Sequence, residues 1–127
     1  MKSILLSQKF TLIILVPVVI LITVLSLVPE LPDIVDYPSG LDKAEHAIAY
    51  SVLAFFLYTL LKDRGVTPVR SFLVTLFSST LYGALIEVMQ NITGRSMEAA
   101  DIAADFTGAA LGALLAAAVM KRIEKGL

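Results

Sequence analysis

Four stretches of the chain are almost free of charge and long enough to cross a bilayer. The first, residues 10–28, runs FTLIILVPVVILITVLSLV without a charged side chain. As a helix rising about 1.5 Å per residue it covers roughly 28 Å, close to the ~30 Å hydrocarbon thickness. The second is uncharged only over residues 47–61, but it reaches twenty residues if the helix starts at Asp42. There Asp42-x-x-Glu45 reads as a capping-box variant with Asp42 as the N-cap. The third, residues 71–89, is interrupted near its end by Glu87, and the fourth, residues 102–120, carries Asp105 near its start. None alternates polar and apolar residues as a membrane strand of about 9–11 residues would. The pattern predicts an all-α membrane protein: one domain over residues 1–127, an antiparallel bundle of four transmembrane helices at about 10–28, 43–61, 71–90 and 101–120.

The segments around these spans refine the picture. Lys2 and Lys9 precede the first run as they would in a secretory signal. The run exceeds the about 7–15 apolar residues of a signal and no A-x-A site follows, so a retained anchor is expected. Pro17 falls mid-span, where it can kink the helix. Pro29, Pro32, Pro38 and Gly40 mark residues 29–41 as a loop of turns. In the last span Ala104, Gly108, Gly112 and Ala116 recur every four positions, a stripe expected to be a packing face.

Composition agrees: 57% of residues are hydrophobic, 17% are charged and the mean hydropathy is +0.86. Soluble domains have about 45–50% apolar and about 25% charged residues. The absence of Cys excludes disulfides, thiolate metal sites and cysteine nucleophiles. A net charge of −1 leaves no basic footprint for nucleic acid. The cations are unevenly placed. Lys2, Lys9, Lys62, Arg64, Arg70, Lys121, Arg122 and Lys125 fall on one side of the spans, and only Lys43 and Arg95 on the other. Because short cytoplasmic loops are rich in Lys and Arg, both termini are expected in the cytoplasm and the acidic segments outside.

With that orientation the polar residues collect at one depth. Asp42, Lys43, Glu45 and His46 open the second helix, Glu87 and Gln90 close the third, Arg95 lies in the short connection, and Asp101 and Asp105 open the fourth. Asp42/His46 and Asp101/Asp105 are i, i+4 pairs, and Glu87/Gln90 is i, i+3, so each pair shares a helix face. Thr80, Gly83, Glu87 and Gln90 likewise form one polar or small face of the third helix. A polar pocket between helices near the outer leaflet is expected. Several of these residues have plainer roles available. Asp42 and Glu45 suit a helix start, Asp101 suits the dipole there, and Lys43 can snorkel. His46 is the single histidine, and Arg95 sits in an ordinary Thr-Gly-Arg turn. Asn91-Ile92-Thr93 matches a glycosylation sequon, a short pattern of little specificity. Glu87 and Asp105 fit the plain readings worst. Glu87 lies at a helix C-terminus, where the dipole disfavours an anion, and no cation stands three or four residues away. Asp105 lies a turn inside its span, where ionisable residues mark function by default.

These residues and their spans resemble the VanZ-like family of bacterial membrane proteins, whose founding member is associated with resistance to the glycopeptide teicoplanin. The similarity runs over residues 41–112 in three blocks. Asp42-Lys43-x-x-His46 with Ala49-Tyr50 matches a D-K-x-x-H helix opening, and Glu87-x-x-Gln90 an E-x-x-Q helix end. Arg95, Asp101-x-x-x-Asp105 and Gly108-x-x-x-Gly112 match an R…D-x-x-x-N-x-x-G-x-x-x-G pattern, with Asp105 where the family commonly carries Asn. The resemblance implies a multi-pass protein of the bacterial cytoplasmic (inner) membrane and supplies no settled mechanism.

The residues leave three functions open. In the first, Lys43 and Arg95 hold a phosphate or carboxylate of a membrane lipid, a lipid-linked cell-wall precursor or a glycopeptide, and Asp42, Glu87, Gln90, Asp101 and Asp105 orient it. In the second, the chain is a small intramembrane hydrolase or transferase with His46, Glu87, Asp101 and Asp105 as catalytic candidates. One histidine with up to three carboxylates would also suit a divalent ion that activates water, although a lone histidine makes a poor zinc site. The third is a structural membrane subunit. A proton-coupled transporter is disfavoured because the acids lie at one end only. Neither a cofactor nor an oligomeric state can be read from the residues.

Overall fold

The structure, a computed structural model, describes residues 7–28, 40–94 and 96–126. Four helices account for nearly all of them: α1 (Gln8–Leu27), α2 (Leu41–Asp63), α3 (Pro68–Ile92) and α4 (Ala99–Glu124). Each is long and apolar enough to cross a membrane, and no strand occurs among the described residues. The helices run past the charge-free stretches because a span does not stop at its first charged residue. The backbone continues until a capping or turn residue ends it. Thus α3 begins at Pro68, whose missing N–H costs nothing in the first turn, and α4 runs on through Lys121 and Arg122, which suit its C-terminal dipole. Helix α1 continues through Pro17.

The start of α2 differs from expectation. Gly40, at φ +92°, takes the N-cap position, and Asp42 lies inside the first turn without capping it. A left-handed residue at the entry favours glycine. The Asp42 carboxylate instead accepts the backbone N–H of Lys43 at 2.9 Å. The residues of the expected Pro-rich loop from 29 to 39, with Glu30, Asp33 and Asp36, lie outside the described residues.

Contacts between helices give the topology. Ser26 meets Gln90, and Val19 and Thr23 meet Tyr82, so α1 and α3 run parallel. Gly108 packs on the backbone of Ala47, Gly112 on that of Ser51, and Lys62 reaches Glu124, so α2 and α4 run parallel over their whole length. The bundle is therefore up-down-up-down, as expected, with the start of α1 and the end of α4 at the end opposite the N-terminal ends of α2 and α4. The α2–α4 seam is the tightest. Ala113 and Ala116 are fully buried in a cluster with Tyr58 of α2, and the Gly108/Gly112 face lies directly on α2 backbone. The expected packing role of the small-residue stripe is thus met. A second cluster joins Leu15 and Ile22 of α1 to Tyr50, Leu53 and Leu60 of α2.

Many large apolar residues face outward, while small and polar ones share the interior with the apolar clusters. Ile13, Val69, Phe77 and Leu111 are exposed, whereas Thr11, Ser71, Thr75 and Ser79 are buried. In water this arrangement would waste most of the apolar surface. Lipid offers no hydrophobic drive between helices, so close approach through small residues decides the packing.

Candidate functional site

The N-terminal ends of α2 and α4 meet the C-terminal ends of α1 and α3, and nearly every sequence-predicted residue lies here. Both first turns carry an acid, Asp42 and Asp101, where the helix dipole favours negative charge.

Lys43 projects from α2 into a ring of three carboxylates. Its Nζ lies 2.9 Å from Asp42 Oδ2, 2.5 Å from Glu98 Oε2 and 2.5 Å from Asp101 Oδ1. An ammonium has three N–H donors, and all three are engaged. Lys43 thus ties the start of α2 to the start of α4 and leaves no donor for an anion.

One turn on, His46 Nδ1 lies 2.7 Å from Asp105 Oδ1, so the histidine pairs across the bundle rather than with its i−4 neighbour Asp42. The Asp105 side chain is 1% exposed. Its approach depends on Gly83 of α3, where a Cβ would lie 3.0–3.1 Å from the Asp105 Cγ and Cβ. The imidazole stacks on Tyr50, with centroids 6.4 Å apart and planes 7° from parallel. An Nδ1 held by a buried carboxylate fixes the ring, leaving Nε2 as its other polar atom.

Glu87 of α3 is 0% exposed. Its Oε2 accepts the N–H of Glu98 at 3.4 Å, while Oε1 has no hydrogen-bond partner. One ring nitrogen of His46, one oxygen of Glu87 and one of Asp101 lie within 4.8 Å of one another. Gln90 has a structural bond: its Nε2 donates to Ser26 O of α1 at 2.9 Å. Arg95 lies outside the described residues.

Beside these groups is a cavity of about 280 Å³. Its polar side includes His46, Gln90, Ser96 and Asp101, and its other wall is Leu21, Ile22 and Leu25 of α1. Leu21 and Leu25 are exposed on the bundle surface, so the cavity borders the region where lipid tails would run.

Sequence reasoning left Glu98 unassigned, although it supplies both a carboxylate to Lys43 and an N–H to Glu87. Glu98 sits in a connection, where no periodicity points inward. Tyr50 stood out in the sequence only through the motif block that Asp42, Lys43 and His46 open. The contribution of α1 was not legible, because a uniformly apolar helix displays no face.

The family description VanZ/LLP1 matches residues 5–121. No curated protein and no solved structure matches the chain. With four helices able to span a bilayer and a family match over nearly its whole length, this multi-pass membrane protein belongs to the VanZ/LLP1 family.

Proposed function

We propose that this chain binds a membrane lipid by its head group, in the cavity between α1 and the ends of the other helices, on the outer side of a bacterial cytoplasmic membrane. The observation that carries the reading is the cavity's two-sided wall: His46, Gln90 and Asp101 on one side, Leu21 and Leu25 on the other. At about 280 Å³ it is near the lower bound of roughly 300–1,000 Å³ for small-molecule sites, which suits a head group whose tail stays in the bilayer. The outward placement rests on the opposite end, which carries Lys62, Arg64, Arg70, Lys121 and Arg122. A lipid-linked cell-wall precursor or an anionic phospholipid would supply such a ligand. The resemblance to VanZ-like proteins connects either with glycopeptide or envelope-stress resistance. Lys43 serves this site by holding Asp101 and Glu98 in place.

A second reading, hydrolysis or group transfer on the same head group, is favoured by the His46–Asp105 pair. An imidazole oriented by a buried carboxylate is the usual arrangement of a general base, and water is the nucleophile available where no serine or cysteine motif exists.

Lipid analysis of the natively purified protein tests the first reading, together with a photocrosslinker placed at Leu25. A co-purifying polar lipid and crosslinking weakened by His46→Ala support it. Crosslinking that is equal in wild type, His46→Ala and Gln90→Ala refutes it. Release of a free head group by wild type but not by His46→Ala would establish the second reading. A structural subunit would keep its full phenotype after His46→Ala, Glu87→Gln and Asp105→Asn at normal expression.

A further inference from the structure

The cavity presents a problem of charge. Among the described residues Asp42, Glu45, Glu87, Glu98, Asp101 and Asp105 gather at this end, with Lys43 the one lysine among them. Lys43 is fully engaged by Asp42, Glu98 and Asp101. Glu87, wholly buried, has one long bond at Oε2 and nothing at Oε1. Among the described residues an anionic head group entering such a site would find no unengaged lysine or arginine.

We infer that His46, Glu87 and Asp101 bind a divalent transition-metal ion of the manganese type beside the cavity, whose lining includes His46 and Asp101. The three side chains come from three helices and bring one donor atom each within 4.8 Å of the others. Metal bonds of about 2.0–2.2 Å put donors on one ion at most roughly 4.4 Å apart, so small side-chain rotations close the set. The unpartnered Oε1 of Glu87 is the independent sign of a missing ligand, since a buried carboxylate oxygen calls for a donor or a cation. With Nδ1 on Asp105, His46 presents Nε2, the carboxylate–histidine–metal arrangement that sets the tautomer and strengthens the ligand. One imidazole and two carboxylates suit borderline and hard ions. The neighbouring Asp42–Glu98–Asp101 cluster is not a second metal site, because the Lys43 ammonium already sits among its three carboxylates.

Three protein donors leave coordination positions open towards the cavity, and a phosphate oxygen of a lipid head group would fill one of them. The ion thereby turns an acidic cavity into an acceptor for an anion. This bridging role rests on the lipid reading above, whereas the metal site does not.

The test uses the full-length protein in detergent, stripped with chelator and titrated with Mn²⁺ alone by electron paramagnetic resonance. Wild type is expected to bind one ion per chain. Losing an outer-shell partner of a metal ligand typically costs about 10–100-fold in affinity, the loss expected for Asp105→Asn, and Glu87→Gln and Asp101→Asn should lose at least as much. Helical circular dichroism checks each variant's fold. Should Glu87→Gln not fold, Asp101→Asn carries the test, since its side chain borders the cavity and is partly exposed. Absence of stoichiometric binding at millimolar Mn²⁺ and Zn²⁺, or unchanged affinity in both variants, overturns the site. A second arm places the protein in phosphatidylglycerol nanodiscs with a photoreactive phosphatidylglycerol. Capture that rises with Mn²⁺ and is lost in Glu87→Gln supports bridging. Capture that is equal with chelator overturns bridging and leaves the lipid reading intact. Metal binding without capture overturns bridging to an anionic phospholipid and leaves the metal site intact.

Discussion

Replacing Gly108 by Ala tests the seam on which the site is mounted. A Cβ at this position would lie 2.8 Å from the Cα and carbonyl carbon of Ala47, and closer still to its carbonyl oxygen. Carbon atoms in ordinary contact are about 3.5–4.0 Å apart, so the shortfall is roughly an ångström, and the atoms met are backbone that cannot rotate away. Helices α2 and α4 must therefore separate. A gap of about 0.5–1 Å forfeits a quarter to a half of each dispersion contact, and the fully buried Ala113 and Ala116 cluster with Tyr58 across this seam. Overpacking costs about 1–3 kcal/mol and, against backbone that cannot yield, falls in the upper part at about 2–3 kcal/mol, offset by about 0.8–1.0 kcal/mol of better helix propensity in alanine. The expected net loss is about 1–2 kcal/mol, a factor of roughly 5–30 in the unfolding equilibrium. Denaturation in mixed detergent micelles, followed by circular dichroism, measures it. The same separation carries Lys43 and His46 away from Asp101 and Asp105, so lipid crosslinking at Leu25 should fall too. Equal or greater stability for Gly108→Ala would refute the close α2–α4 approach.

Three further outcomes follow from the same contacts. Gly83→Ala should displace the Asp105 carboxylate and release His46, seen as a change in the imidazole ¹⁵N shifts without loss of helicity; an unchanged spectrum would contradict the packing of Asp105 on Gly83. Tyr82→Phe removes a hydroxyl that contacts Thr23 Oγ1 and Val19 O, and should lower stability by about 0.5–1.5 kcal/mol in the same denaturation assay. Cysteines introduced at Ser96 and Lys125 should be labelled by an impermeant reagent from opposite sides of the membrane, Ser96 from outside; labelling of both from one side would refute the proposed topology.

The candidate site was legible in the sequence to an uneven degree. Glu87 and Asp105 stood out because an ionisable group in a span needs a reason, and both prove buried. The sequence marked Asp105 as a functional candidate, but could not name His46 as its partner. Lys43 read as a group for holding an anion, yet its ammonium is enclosed by Asp42, Glu98 and Asp101, the last two more than fifty positions away along the chain. Gln90 read as a site residue and is bonded to a carbonyl of α1. Gly83 read as part of a small face, and the structure gives the reason: the space above it is filled by Asp105.

The number of spans, their helical character and the collection of acids at one end were determined locally, because bilayer thickness and the cost of unbonded backbone in hydrocarbon act on each segment separately. Which acid faces which base was decided only by the tertiary structure. Gly108 and Gly112 set α2 and α4 at backbone contact and in one register. That register, a property of two helices together, seats Lys43 among three carboxylates and His46 on Asp105.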